Sequence, residues 1–126
     1  MRHSRSLLAG LCALLLAGCS RLPQPASTYD SAAAKRSLVA SLDAWKDGKL
    51  ASLDQQMPPI RFVDDDHIAG LELDDYRLNE PDAAIRPHQG VVVELFVRKK
   101  GGSLIRKRAE YQVSLWPSVS VLRADP

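Results

Sequence analysis

The sequence predicts an α+β domain: one long N-terminal helix packed on a four- to five-stranded antiparallel sheet. Three observations lead there. Only one stretch, around residues 32–47, has a helical spacing of apolar residues long enough for several turns. From residue 60 onward the apolar residues alternate with a period of two. Two of those alternating runs are joined by a turn with paired glycines.

The helix comes first. Asp30 or Ser31 can cap it, Ala32, Ala33 and Ala34 favour it, and Gly48 stands where a left-handed stop belongs. Leu38, Leu42 and Trp45 recur at intervals of four and three, with Ala34 and Ser41 on the same stripe. Lys35, Arg36, Asp43, Lys46 and Asp47 face water. Trp45 is expected in the core. A second short helix over residues 50–55 ends at Pro58-Pro59. Ile60-Arg61-Phe62-Val63 is a short strand, broken by Asp64-Asp65-Asp66-His67. In the strand over residues 71–78, Leu71 and Leu73 share one phase and Tyr76 and Leu78 the other. A bulge is therefore expected at Asp74-Asp75.

The C-terminal hairpin is the clearest strand signal. Val91, Val93, Leu95 and Val97 alternate with Val92, Glu94, Phe96 and Arg98. Lys99-Lys100-Gly101-Gly102-Ser103 forms the turn. The returning strand sets Ile105, Ala109, Tyr111, Val113 and Leu115 on one face, with Arg106, Arg108, Glu110 and Gln112 on the other. Glu94 can then pair across the strands with Arg106 or Arg108. Trp116-Pro117-Ser118 turns the chain, and Val119-Ser120-Val121-Leu122 closes the sheet.

The first residues concern location. Arg2, His3 and Arg5 form a basic start, and residues 7–17 are an apolar run shorter than the roughly 20 residues a spanning helix needs. Small residues lead into a cysteine, the pattern of an export leader. The run Leu16-Ala17-Gly18-Cys19 resembles the lipobox of bacterial lipoproteins. The resemblance implies cleavage after Gly18, lipid on the Cys19 sulfur, and acylation (palmitate or a similar chain) of the new amino terminus. Two or three acyl chains would hold the protein stably where one is marginal. Ser20 follows the cysteine where an Asp favours inner-membrane retention in enterobacterial lipoproteins, so the resemblance leans toward the outer membrane. Residues 1–18 are then a lipoprotein signal peptide, 19–29 a flexible tether rich in Pro, Ser and Thr, and 30–126 a single domain.

With Cys12 in the leader and Cys19 lipidated, no thiol is left for a disulfide, a thiolate metal site or a nucleophile. The leader also removes Arg2 and Arg5, and the remaining basic residues balance the 15 acidic ones, so net charge offers no case for nucleic acid. Charge is nevertheless segregated. Residues 43–82 carry eleven carboxylates against four basic side chains, and residues 86–123 carry eight basic side chains against two carboxylates. These halves are expected to interleave and neutralise one another across the sheet.

Ala44-Trp45-Lys46-Asp47-Gly48, followed by Leu50 to Leu53, resembles the end of the first helix in the cystatin-like and nuclear transport factor two-like cone folds. The mature part is also similar to small bacterial lipoproteins. The cone-fold resemblance implies a concave sheet, and in its enzymatic members an Asp and a His facing a pocket.

The most chemical-looking cluster is Asp64, Asp65, Asp66 and His67. Three carboxylates and an imidazole are the donors for a hard or borderline cation, or for a general acid and base. Four adjacent side chains on one turn diverge, however, and there is no glycine-spaced calcium loop. The expectation is an exposed acidic turn with one Asp capping the next segment, no metal, no cofactor and no catalytic residue. The basic runs Arg98-Lys99-Lys100 and Arg106-Lys107-Arg108 suit anionic headgroups, but are expected to be solvated residues that discourage edge aggregation. The chain reads as a lipid-anchored, non-enzymatic binding or assembly module of the cell envelope. Its expected partners are the membrane, through the N-terminal lipid, and an envelope protein. The alternative is a small-ligand-binding or hydrolytic protein using Asp64, Asp65, Asp66 and His67 as a speculative ligand site.

Overall fold

The computed structural model describes residues 28–125. The leader, Cys19 and most of the expected tether lie outside them. Helix α1 (Ser31–Lys46) starts at Asp30, whose carboxylate accepts the Ala33 amide at 2.9 Å. It is terminated at Gly48, which adopts φ +67°, a left-handed conformation that a side chain would strain. Between these two signals there is room for 16 residues, about 24 Å. The helix is thus short, not the long N-terminal helix expected. Its inner stripe of Ala34, Leu38, Ser41, Leu42, Ala44 and Trp45 is buried. The Ser41 hydroxyl is satisfied by donating to the Ser37 carbonyl at 2.8 Å. A 3-10 helix (Leu50–Gln55) follows and buries Leu53.

Five strands form one sheet: β1 (Ile60–Val63), β2 (Glu72–Leu78), β3 (Val91–Arg98), β4 (Ile105–Ser114) and β5 (Val119–Arg123), in the order β1-β5-β4-β3-β2. The β3–β4 hairpin pairs Val97 with Ile105 and Val91 with Tyr111. Its inner face buries Val93, Leu95, Val97, Ala109, Tyr111 and Val113, as the alternation required. On β2 the register moves from Leu73 opposite Val97 to Asp75 opposite Phe96. Asp74 is left unmatched, the expected bulge, and Leu73, Tyr76 and Leu78 can then all face inward.

The sheet is mixed, not antiparallel. β1 lies parallel to β5, with Ile60 opposite Val119 and Val63 opposite Leu122. A hairpin advertises itself through its turn, whereas β1 and β5 are brought together from distant parts of the chain by burial of Ile60, Val119 and Val121. β1 and β2 are the sheet edges. The basic runs lie on the inner strands and the β3–β4 turn, so they do not guard an edge as expected.

The register defines two ends of the molecule. One gathers the start of α1, residues 56–59, the loop 79–90 and the β4–β5 turn at 115–118. The loop is drawn over α1 by the buried Ile85, whose amide donates to Ser31 Oγ at 2.7 Å, and by Lys35 donating to the Pro81 carbonyl. The other end gathers the end of α1, the β3–β4 turn, and a four-residue helix α2 (Asp65–Ile68). Among the described residues, no helix is long and apolar enough to cross a membrane.

Candidate functional site

Strand β1 delivers the acidic run to the second of these ends. Asp64 has extended backbone and caps α2, its Oδ1 accepting the His67 amide at 2.9 Å. The capping expectation is met. The exposure expectation fails for two of the three acids, since Asp64 is fully buried and Asp66 is 8% exposed. The reason is that α2 turns Asp64 and Asp66 inward toward basic residues, while Asp65 and His67 face outward and are exposed.

Asp64 and Asp66 meet at Arg123, near the end of β5. Its Nη1 donates to Asp64 Oδ2 at 3.1 Å and to Asp66 Oδ2 at 2.9 Å. Its Nε donates to Asp125, whose same oxygen also accepts the Glu110 amide at 3.0 Å. The Tyr111 hydroxyl donates to Asp64 Oδ2, and Lys107 Nζ donates to Asp66 Oδ1 at 2.7 Å. The guanidinium also lies 5.9 Å from the centre of the Tyr111 ring, which stacks on Phe62 at 6.2 Å. No buried side-chain nitrogen or oxygen among the described residues lacks a partner.

The electrostatics follow from this arrangement. Burial works to raise the Asp66 carboxyl, but hydrogen bonds and charge from Lys107 and Arg123 outweigh it and hold the group below the usual carboxylate range. Asp125 behaves likewise: burial opposes ionisation, and Arg123 with the Glu110 amide overcomes it. Burial pushes the Tyr111 phenol far above its ordinary value, helped by the Asp64 charge, so it stays a proton donor. Burial alone would lower the Arg123 guanidinium, but its hydrogen bonds to Asp125 and Asp66 and the Asp64 charge leave it more firmly protonated than usual.

Chemically, this is an ion-pair network with its acceptors in use. A general base needs a lone pair turned toward substrate. Every oxygen of the two carboxylates already has a donor: Tyr111 and Arg123 on Asp64 Oδ2, the His67 amide on Asp64 Oδ1, and Lys107 and Arg123 on the two oxygens of Asp66. His67 touches Asp64 through its backbone amide, while its ring stands edge-on to Trp45 at 6.0 Å. Asp64 and Asp66 are thus brought together at Arg123, while Asp65 and His67 face away, and the four do not form one ligand set. Among the described residues no group of three or more His, Cys, Asp or Glu is placed to hold a metal ion.

Lys107, Arg123 and Asp125 are the members of this network that sequence reasoning missed. A signal was present. Lys107 shares the phase of Ala109, Tyr111 and Val113, and Arg123 that of Val119 and Val121. A basic residue in a buried phase needs an acidic partner, and the Asp64–Asp66 run is the nearest supply in space. The other expected pairing, of Glu94 with Arg106 or Arg108, is found. Arg108 stands opposite Glu94, and Arg106, the diagonal neighbour two residues along β4, makes the salt bridge. Comparison of the chain with models of protein families, with curated proteins and with solved structures finds no match.

Proposed function

We propose that this chain is a lipid-anchored protein of the cell envelope whose domain acts as a non-enzymatic binding or assembly module. One observation carries the reading: the apolar run that ends in Leu16-Ala17-Gly18-Cys19 and passes directly into polar sequence. Ser20 after the cysteine favours the outer over the inner membrane. Weighing against chemistry at residues 64–67 is the occupation of Asp64 and Asp66 by donors from β4 and β5. Supporting a binding role is the sheet face opposite α1, where Val92, Glu94 and Phe96 are half-buried among the exposed Arg77, Arg106 and Arg108. Mixed apolar and charged side chains of this kind suit an envelope protein partner; an exported chain with balanced charge does not suit nucleic acid.

The test is metabolic labelling with a fatty-acid analogue in a bacterial host that lipidates exported proteins. Wild type is expected to carry label and fractionate with membranes. Cys19→Ser is expected to carry none. Equal labelling of the two proteins would refute the anchor.

A further inference from the structure

Of the exposed large apolar side chains, Met57 at 94% exposure and Trp116 at 67% stand at the end where the N-terminal segment joins, and Ile68, Leu104 and Ile105 stand at the other. The β1–β5 register sets them there: Ile60 pairs with Val119, so residues 57–59 and 116–118 lead into adjacent strands from one side. Met57, Pro58 and Leu115 border one open hollow with Ala33, Ser37 and Arg36 of α1. Leu115 and Trp116 border the next hollow together with Tyr29. Tyr29 is fixed at this end, its hydroxyl donating to the Val113 carbonyl at 2.8 Å. The chain from Cys19 thus joins the domain beside Trp116. Fully extended, residues 19–28 would span at most about 35 Å.

We infer that this end of the domain, presenting Met57, Leu115 and Trp116, docks on the lipid bilayer that holds the Cys19 anchor, an inference that rests on the lipoprotein reading. Tryptophan at an apolar tip suits the headgroup boundary, where its ring is buried and its indole N–H stays hydrated. Arg36 at the rim of the hollow offers a cation to headgroup phosphate. The carboxylates at this end are Asp30, which accepts the Ala33 amide, and the exposed Glu80 and Asp82 of the loop, which share that loop and its surroundings with Lys35 and Arg86. The β3–β4 turn with Lys99 and Lys100 lies at the far end of β4, about 30 Å away. Docking at the Trp116 end would therefore hold the basic turn and the Arg123 network away from the membrane.

The test uses the full-length protein in phosphatidylcholine–phosphatidylglycerol vesicles containing lipid spin-labelled at headgroup depth. Trp116→Phe, which keeps only the buried Trp45, supplies the background. The wild-type emission beyond that background is expected to be quenched by the lipid label and shielded from acrylamide. A Leu104→Trp reporter in the Trp116→Phe protein, at the opposite end, is expected to behave the other way round. No lipid quenching at Trp116, or quenching at Leu104→Trp that equals or exceeds it, overturns the inference. The mass of the N-terminal peptide reports lipidation separately. Protein found without lipid is held to the vesicles by an N-terminal hexahistidine tag on nickel-chelating lipid, so the docking geometry is read even if the anchor assignment fails.

Discussion

Asp66 illustrates how little a run of acidic residues says until its neighbours are known. Its two oxygens face Lys107 and Arg123, and these two hydrogen-bond donors override burial and keep the carboxylate ionised in the folded chain. Asp125 is held in the same direction by Arg123. A carboxyl whose pKa is lower folded than unfolded contributes stability above the unfolded value, about 3.9, and loses it as pH falls through the folded value. Stability should therefore be constant near neutrality, with a decline that begins around pH 5 and steepens toward pH 2. Urea unfolding of wild type and Asp66→Asn across that range checks it. The variant is less stable at pH 7 and shows a shallower acid decline, because one of the titrating groups is gone. Parallel pH profiles would mean that Asp66 is not held ionised by its partners.

The elements differ in how far their sequences reveal them. α1 was legible because cap, stripe and stop are all local, and its brevity lies in the distance between Asp30 and Gly48. The hairpin was legible from its turn and alternation, and the β2 bulge from a phase change between Leu73 and Tyr76. The parallel pairing of β1 with β5 was not, since nothing local to Ile60 names Val119 as its partner. Nor was the polar network, which needs that same pairing before Asp64 and Arg123 can meet. The placement of Trp45 shows the same division. Its burial was expected and is found, at 5% exposure, with the indole Nε1 donating to the Leu71 carbonyl at 3.2 Å. Its ring neighbours include Phe62 of β1 and His67 of α2, contacts that depend on where β1 is placed in the sheet. Trp45→Ala should destabilise the domain by about 3–5 kcal/mol, as large-to-small changes in a core do. It should also loosen β1 and α2 first, read as faster amide exchange at Phe62 and His67 than at Val93 and Leu95. A melting temperature equal to that of wild type would place the indole outside the core.

Across the whole molecule the acidic and basic halves of the sequence interleave. Asp64 and Asp66 meet Lys107 and Arg123, and Asp74 meets Arg98. The end joined to the N-terminal segment presents Met57 and Trp116, and the other holds the ionic network together with the exposed Ile68, Leu104 and Ile105. Within that network Arg123 connects residues from three parts of the chain: the segment after β1, strand β4 through the Tyr111 ring, and the C-terminal Asp125. Asp64 and Asp66 of the acidic run thereby help to close the fold. Arg123→Met tests it most directly, because it keeps the bulk of the side chain and removes the shared cation. Chemical unfolding at pH 7 should report a loss of about 3–5 kcal/mol, the consequence of leaving Asp64 with a buried, uncompensated charge. A loss below about 1 kcal/mol, the scale of an exposed ion pair, would mean that the network does not hold the fold and that Asp64 and Asp66 are free to act on a ligand.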